Sequence, residues 1–243
     1  MSVSDPMVTL VVPVKALDRA KTRLAAVDAR GRRELAAAFA LDTVAAVLAC
    51  PQVHRVLVVT GEPALVEPFH DIGAQVLCER ALPGGLSAAL TQGCNHVGVD
   101  PSGVLGILCA DLPALRPDAL TAALRAAADH THRGTAPAAF IPDMTGIGTT
   151  VLIGGTGRAL LPRFGPGSAH AHREQGAVPI TADGWECLRQ DVDTLADLHK
   201  ALALGTGPRT TACVRSVLAE PPGAGPDNDP ACTDRGLTRS VQA

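Results

Sequence analysis

The sequence predicts an α/β fold: a mostly parallel sheet with helices covering both of its faces. Three observations carry that prediction. Up to His130, apolar runs such as Val8–Val14 and Val104–Ala110 alternate with alanine-rich stretches of helical spacing, and strands joined through helices pair in parallel. The runs are continuously apolar, as strands buried on both faces are. Hydrophobic residues make up 47% of the 243-residue chain but aromatics only 2%, so Val, Leu, Ile and Ala must build the core.

In chain order, Val8–Val14 is the first strand, and a polar stretch follows from Lys15 to Arg33. Arg32–Cys50 reads as a helix, with Leu35, Phe39, Asp42 and Ala46 at helical spacing and Pro51 as its stop. Val53–Thr60 is the second strand, closed by Gly61 and Pro63. A short helix covers Ala64–Asp71, and Ala74–Cys78 is the third strand. Gly84 and Gly85 open a helix running to about Val97. The fourth strand, Val104–Ala110, leads straight into Asp111-Leu112-Pro113. Arg116–His130 is a helix with Pro117 at its start, where a missing amide donor costs nothing.

Beyond residue 134 the pattern changes. Ala138–Ile141 and Thr149–Ile153 read as strands around a glycine-containing loop, Gly157–Leu161 as a short helix, and Ala177–Ile180 as another strand. Asp191-Val192-Asp193 leaves a strand, and a helix follows from Thr194 to about Leu204. Residues 1–206 thus form one domain. Residues 207–243, rich in Pro, Gly, Asp and Thr without periodicity, are expected to be a disordered tail.

Composition excludes several functions. Four Phe, one Trp and no Tyr leave too few platforms for stacking single-stranded nucleic acid. With 21 Lys and Arg against 24 Asp and Glu, the basic excess of a duplex-DNA binder is missing, so no nucleic-acid partner is expected. Seven cysteines, at 50, 78, 94, 109, 187, 213 and 232, form no CxxC pair, so neither a zinc ribbon nor a disulfide framework is predicted. Buried thiols in a reducing compartment are the simpler reading. The first residues carry no early positive charge, and their apolar run is too short to span a bilayer. A cytoplasmic protein with no membrane partner is therefore expected. Oligomeric state is not legible.

Ligands of doubly wound sheets bind beyond the carboxyl ends of the strands. Three such ends, at residues 13–24, 79–87 and 111–113, frame the search for a site. Two of the chain's three lysines, Lys15 and Lys21, flank the first, with Arg23 beside them. Unit charges a few Å apart interact at ~4 kcal/mol with an effective dielectric of 20. The trio is thus able to hold a polyphosphate and neutralise a departing pyrophosphate; a solvated basic loop is the alternative. No Walker-type GxxxxGK motif occurs, and Gly155-Thr156-Gly157 lacks the third glycine of a dinucleotide fingerprint.

Asp111 follows a fully apolar strand and precedes Leu-Pro, which holds its carboxylate at the mouth of the sheet. It suits Mg2+, a hard ion that takes one or two carboxylates plus phosphate oxygens and water. The alternative is an N-cap, although the next helix starts several residues later. Asp191 and Asp193 offer the same choice, one as ligand and the other as cap for the helix at Thr194. Phe164-Gly-Pro-Gly-Ser168 ends at a helix start, where glycine amides and a serine hydroxyl form an anion site or a simple turn. Thr149 and Thr150 bring hydroxyls from the neighbouring strand. His170 and His172, spaced i, i+2 with no third ligand near, read as solvated surface histidines.

Several segments occur in a telling order: Val11-Val-Pro-Val-Lys15, Ala20-Lys-Thr-Arg-Leu24, Ala110-Asp-Leu-Pro-Ala-Leu115, Arg163-Phe-Gly-Pro-Gly-Ser168 and Asp191-Val-Asp-Thr-Leu-Ala-Asp-Leu198. Across residues 8–206 the chain resembles the 2-phospho-L-lactate/phosphoenolpyruvate guanylyltransferases of deazaflavin coenzyme (F-420) biosynthesis. The resemblance implies a three-layer, Rossmann-like nucleotidyltransferase fold related to the molybdopterin guanylyltransferases, using GTP and Mg2+. It implies that Lys15, Lys21 and Arg23 face the GTP phosphates and, with Asp111, carry catalysis. Gly85 and Ser87 would add nucleotide contacts, although relatives commonly carry Asn where Ser87 stands. Asp111, Asp191 and Asp193 would hold Mg2+. Gly165, Ser168 and Thr149, or the adjacent Thr150, would bind the phosphate of the acceptor.

That acceptor is implied to be a small phosphorylated three-carbon acid, whose phosphate oxygen attacks the α-phosphorus of GTP and expels pyrophosphate. The acceptor is already an anionic nucleophile, so positioning and charge neutralisation suffice. No Ser-His-Asp or Cys-His arrangement is needed. Phosphoenolpyruvate, 2-phospho-L-lactate and 3-phosphoglycerate all fit. Three lysines against eighteen arginines point to a GC-rich genome of actinobacterial type, and bacterial relatives of that type are associated with phosphoenolpyruvate. Two further readings stay open. One is a molybdopterin or sugar-phosphate nucleotidyltransferase, whose Gly-rich loop is replaced here by Val14-Lys15-Ala16-Leu17. The other is a non-catalytic nucleotide-binding module.

Overall fold

The computed structural model describes residues 7–17, 21, 23–24, 27–78, 85–132 and 136–219. Its strands are β1 (Val8–Val14), β2 (Val53–Thr60), β3 (Gln75–Cys78), β4 (Val104–Leu108), β5 (Ala138–Pro142), β6 (Thr149–Gly154) and β7 (Val178–Pro179). They form one sheet in the order β3-β2-β1-β4-β6-β5-β7. Among the described residues only β6 runs antiparallel to its neighbours, β4 and β5. The mostly parallel sheet read from the apolar runs is therefore present.

Every residue of β1 is buried, and its side chains divide by parity. Leu10, Val12 and Val14 enter one apolar layer and Val11 the other. The first layer is covered by α1 (Ala29–Leu48), α4 (Pro117–His132) and α7 (Leu195–Leu204), the second by α3 (Gly85–Val97) and α5 (Ser168–Glu174). Burying each Val or Leu in these layers contributes about 1.5–3 kcal/mol. Helix α3 lies close to the sheet because Gly93 has no side chain. A Cβ there would stand 2.7 Å from Val59 Cγ2 and 2.8 Å from Val11 Cγ1.

Two short helices, α2 (Val66–Asp71) and α6 (Glu186–Arg189), and a last one, α8 (Pro208–Ala219), complete the set. Helix α1 starts at Ala29, earlier than its apolar spacing indicates, because Asp28 accepts the N–H of Gly31 at 2.7 Å as an N-cap.

Four expectations need correction. Residues 157–161 form no helix. Gly157 adopts φ +67° in a turn, its N–H donates to Gly103 O, and Leu161 faces solvent. The strand expected at Ala177–Ile180 is only Val178–Pro179. Asp191 follows α6 and Gln190, not a strand. Most informatively, part of the presumed tail is ordered: α8 packs against α1, and Asp42 of α1 accepts the N–H groups of Arg209 at 3.2 Å and Thr210 at 2.7 Å. Gly207 donates its N–H to Pro113 O at 2.9 Å, and a Cβ at Gly207 would overlap Asp42. The remaining tail, 220–243, and the strand end at 79–84 lie outside the described residues. No helix among the described residues is long and apolar enough to cross a membrane.

Candidate active site

The chain leaves β1 for β2 and β3 on one side and returns to β4 on the other. The carboxyl ends of β1 and β4 therefore flank a topological switch point, where such sheets open a crevice. Because β6 runs the opposite way, its first residue, Thr149, stands at that same rim. The N–H of Cys109, just past β4, donates to Thr150 O at 2.8 Å and fixes this juxtaposition.

A cavity of about 150 Å3 opens at the switch point, lined by Pro13, Lys15, Lys21, Cys109, Asp111 and Asp193 among others. The Lys21 ammonium lies between two carboxylates, 2.7 Å from Asp111 Oδ2 and 3.2 Å from Asp193 Oδ1. Burial works against its charge, but Asp111 and then Asp193 more than offset that, so the lysine pKa is raised. Lys21 also holds φ +57°, a left-handed conformation that residues with a Cβ seldom adopt. Arg23 Nη1 reaches Asp193 Oδ2 at 3.8 Å from an exposed position, a contact that solvent screens heavily.

The two acidic segments are locked together by their backbones. Val192 N–H donates to Asp111 O at 3.1 Å. Behind them, the buried Thr43 of α1 accepts the N–H of Leu112 at 3.2 Å while its hydroxyl donates to Phe39 O. Neither Asp111 nor Asp193 is needed as a helix cap: α4 begins only at Pro117, and Thr194 caps α7 in a capping box with Asp197. Asp191 is pushed up to about 7, first by burial and then by the charges of Asp111, Asp193 and Asp143.

The donor set fits Mg2+. Three half-buried carboxylates offer hard oxygens, and Asp191 is raised first by burial and then by the neighbouring carboxylates. Among the described residues no three ligating side chains already converge on one point, since Lys21 separates Asp111 from Asp193. An ion using one or two carboxylates and completing its shell with phosphate oxygens needs no closed cage.

On the other side of the rim the groups expected to bind the acceptor are neutral hydroxyls. Thr149 Oγ1 lies 2.9 Å from His172 Nδ1. Gly165, at φ +128°, leads into Ser168, the buried first residue of α5. The turn docks on the β5–β6 loop through Ala169 N–H to Ile147 O at 3.0 Å, and His172, one turn after Ser168 on α5, meets Thr149. Thr150 faces away: its hydroxyl donates to Leu188 O at 2.7 Å and lies 3.3 Å from Ile141 O. Of the two threonines, Thr150 is thus bound to backbone carbonyls, whereas Thr149 meets only the imidazole among the described residues. Ser87 is also engaged, through a 3.4 Å bond to Phe164 O, and lines a larger groove of about 740 Å3 with Asn95 and Arg163. That groove lies beside the carboxylates, not at them. Gly85, at φ +60°, opens α3 nearby.

Sequence reasoning missed three contributors. Asp143 builds the β5–β6 loop by accepting from Thr145 Oγ1 and the N–H groups of Ile147 and Gly148. Arg189 ties that loop to the segment before Asp191, donating to Pro142 O and Asp143 O. His172, expected at the surface, is fully buried. The signal for it was its i, i+4 spacing from Ser168, both on the inner face of α5.

A mostly parallel sheet with cations and carboxylates at its switch point fits a nucleotidyltransferase, the class to which the matching domain and relatives assign the chain. The fold agrees with solved structures at low identity. A candidate nucleotide-diphospho-sugar transferase from Desulfovibrio desulfuricans G20 superposes with a TM-score of 0.60 at 16% identity, covering 88% of this chain and 96% of that one. A nucleotidyl transferase from Methanothermobacter thermautotroptrophicus gives 0.54 at 17%, covering 82% and 97%. Residues 31–164 match the MobA-like NTP transferase domain. The chain is 49% identical over 217 residues to the phosphoenolpyruvate guanylyltransferase of Streptomyces avermitilis, covering 88% of this chain and 97% of the relative. It is 40% identical over 220 residues to that of Mycolicibacterium gilvum, covering 89% and 99%. The chain belongs to the phosphoenolpyruvate guanylyltransferase family.

Proposed function

We propose that this chain transfers GMP from GTP to phosphoenolpyruvate, releasing pyrophosphate and forming enolpyruvyl-diphospho-5'-guanosine for coenzyme F-420 biosynthesis. The observation that carries the reading is the Lys21 ammonium held between Asp111 and Asp193 at the switch point, with the Thr149 hydroxyl on the adjoining strand. A phosphate oxygen of the acceptor attacks the α-phosphorus in line. The new P–O bond forms as the α–β bridging bond breaks, and its electron pair leaves with pyrophosphate. Lys15, Lys21 and Arg23 neutralise the triphosphate and its leaving group. Thr149, Ser168 and the Gly165 turn bind the acceptor's phosphate without adding charge, which keeps the two anions in register. Gly85 and Ser87, at the start of α3, would add nucleotide contacts.

Mg2+, held by Asp111, Asp191 and Asp193, would supply the charge neutralisation that two phosphorylated reactants demand. Described cysteines that are all free support a reducing, cytoplasmic compartment.

The test is pyrophosphate release from GTP and Mg2+ with phosphoenolpyruvate, 2-phospho-L-lactate or 3-phosphoglycerate in turn. Release with phosphoenolpyruvate at the highest kcat/KM is expected. A higher value with another acid would reassign the acceptor, and GTP binding without release from any would leave a nucleotide-binding module.

A further inference from the structure

His172 has no charge to contribute and no surface to meet solvent, yet it makes two directed hydrogen bonds. It is fully buried, with its ring centroid 5.3 Å from Phe164, edge-on, and 5.8 Å from Phe140. Its Nε2 lies 3.2 Å from the backbone N of Arg163, and its Nδ1 2.9 Å from Thr149 Oγ1. An amide N–H only donates, so Nε2 must be the acceptor nitrogen. In a neutral imidazole the proton is then on Nδ1. Burial keeps the ring neutral, pushing its pKa down to about 4. The Nδ1–H therefore donates to Thr149 Oγ1 and fills one of its acceptor positions. The hydroxyl's own hydrogen is matched to no acceptor among the described residues.

We infer that His172 is a positioning residue: by filling one of the two acceptor positions of Thr149 Oγ1, it turns the hydroxyl's own hydrogen toward an oxyanion of the acceptor. The inference rests on the reading of Thr149 as an acceptor-binding residue. It adds how an uncharged pocket selects an anion. A hydroxyl free to rotate donates or accepts with equal ease, and water satisfies it. One with an acceptor position already filled is biased toward donating, and so favours a ligand that accepts, as an ionised phosphate oxygen does at every lone pair. The same geometry links two segments. The Arg163 amide sets the tautomer of His172, and that tautomer presents Nδ1–H to Thr149.

Two substitutions separate the two bonds. In His172→Asn the amide nitrogen replaces Nδ1 and still donates to Thr149 but does not reach Arg163. In His172→Gln the amide oxygen replaces Nε2 and still accepts from Arg163, with nothing at Nδ1. Steady-state rates should show an acceptor KM raised about tenfold to a hundredfold in the glutamine variant, the scale of a hydrogen bond to a charged group. The KM for GTP should stay within about twofold, and the asparagine variant should lie near wild type on the acceptor. An unchanged acceptor KM in the glutamine variant, an equal rise for both substrates, or a worse result for asparagine than for glutamine would overturn the assignment.

A second measurement uses wild-type protein and no turnover. Imidazole 15N NMR, with the His172→Gln spectrum identifying the resonance, should find Nδ1 protonated; protonation at Nε2 overturns the assignment outright. Failure of the transfer reading is separate, since it would appear as no pyrophosphate release from the wild-type enzyme with any acceptor.

Discussion

The two sides of the rim solve one problem, the approach of two anions, with opposite chemistry. On the β1–β4 side, Lys15, Lys21, Asp111 and Asp193 gather formal charges around a small cavity. On the β5–β6 side the ligand-ready groups are neutral, namely Thr149 and Ser168, both buried. Charge is strong but is offset by counter-charge and hydration, and Lys21 already has two carboxylate partners. A neutral hydroxyl is weak, but held in place it costs no reorganisation when an anion arrives. Under the proposed transfer, the charged side accommodates what leaves and the neutral side orients what attacks.

Removing charge should therefore damage turnover most. Asp111→Asn is expected to lower kcat by about 10³-fold, the scale of a lost preorganised charge, with circular dichroism unchanged. Turnover within tenfold of wild type would break the assignment of charge work to this side.

Next in size is the contrast between adjacent threonines. Thr149→Val should raise the acceptor KM about tenfold to a hundredfold and leave the GTP KM alone. Thr150→Val, which deletes a bond to Leu188 O, should lower stability by about 1–3 kcal/mol with both KM values unchanged. Equal effects on the acceptor KM would mean that direction along β6 does not matter.

The neutrality of the second side is itself testable through pH. His172 has its folded pKa depressed from 6.5 to about 4, so below 6.5 the unfolded chain binds the proton more readily than the native one. Its contribution is full above 6.5 and is lost as pH falls toward 4. Between pH 7 and 4.5, urea denaturation should show wild type losing about 2 kcal/mol more than His172→Asn. Parallel losses would mean that the imidazole is already charged in the native state.

The smallest effect concerns support for the charged side. Asp42→Ala removes the acceptor for two α8 amides and should lower stability by about 1 kcal/mol, read as a drop in Tm. The acceptor KM should not change.

Legibility in the sequence followed the same divide. The central strands were plain because they are mostly apolar runs, and Asp111 was plain because it follows one directly. The acidic pair at 191 and 193 was recognised, but its preceding segment was misread. Four residues of α6 are too few to show a period. His172 escaped because its partners lie 9 and 23 residues away and it stands among His170, Arg173 and Glu174. Helix α8 escaped for a related reason. Cys213, Val214 and Val217 do carry helical spacing, but the cap that stabilises the start comes from Asp42, 168 residues earlier than Thr210. Local pattern reports what neighbours in sequence can do. It is silent where a distant side chain supplies the missing partner.

The tie from Gly207 to Pro113 has a consequence for how the protein is made. The loop that presents Asp111 receives one of its backbone supports from a residue translated almost a hundred positions later. On the ribosome the sheet's order up to β4 can be complete while that loop still awaits its anchor. Competence for chemistry thus arrives late in synthesis, well after the scaffold has formed.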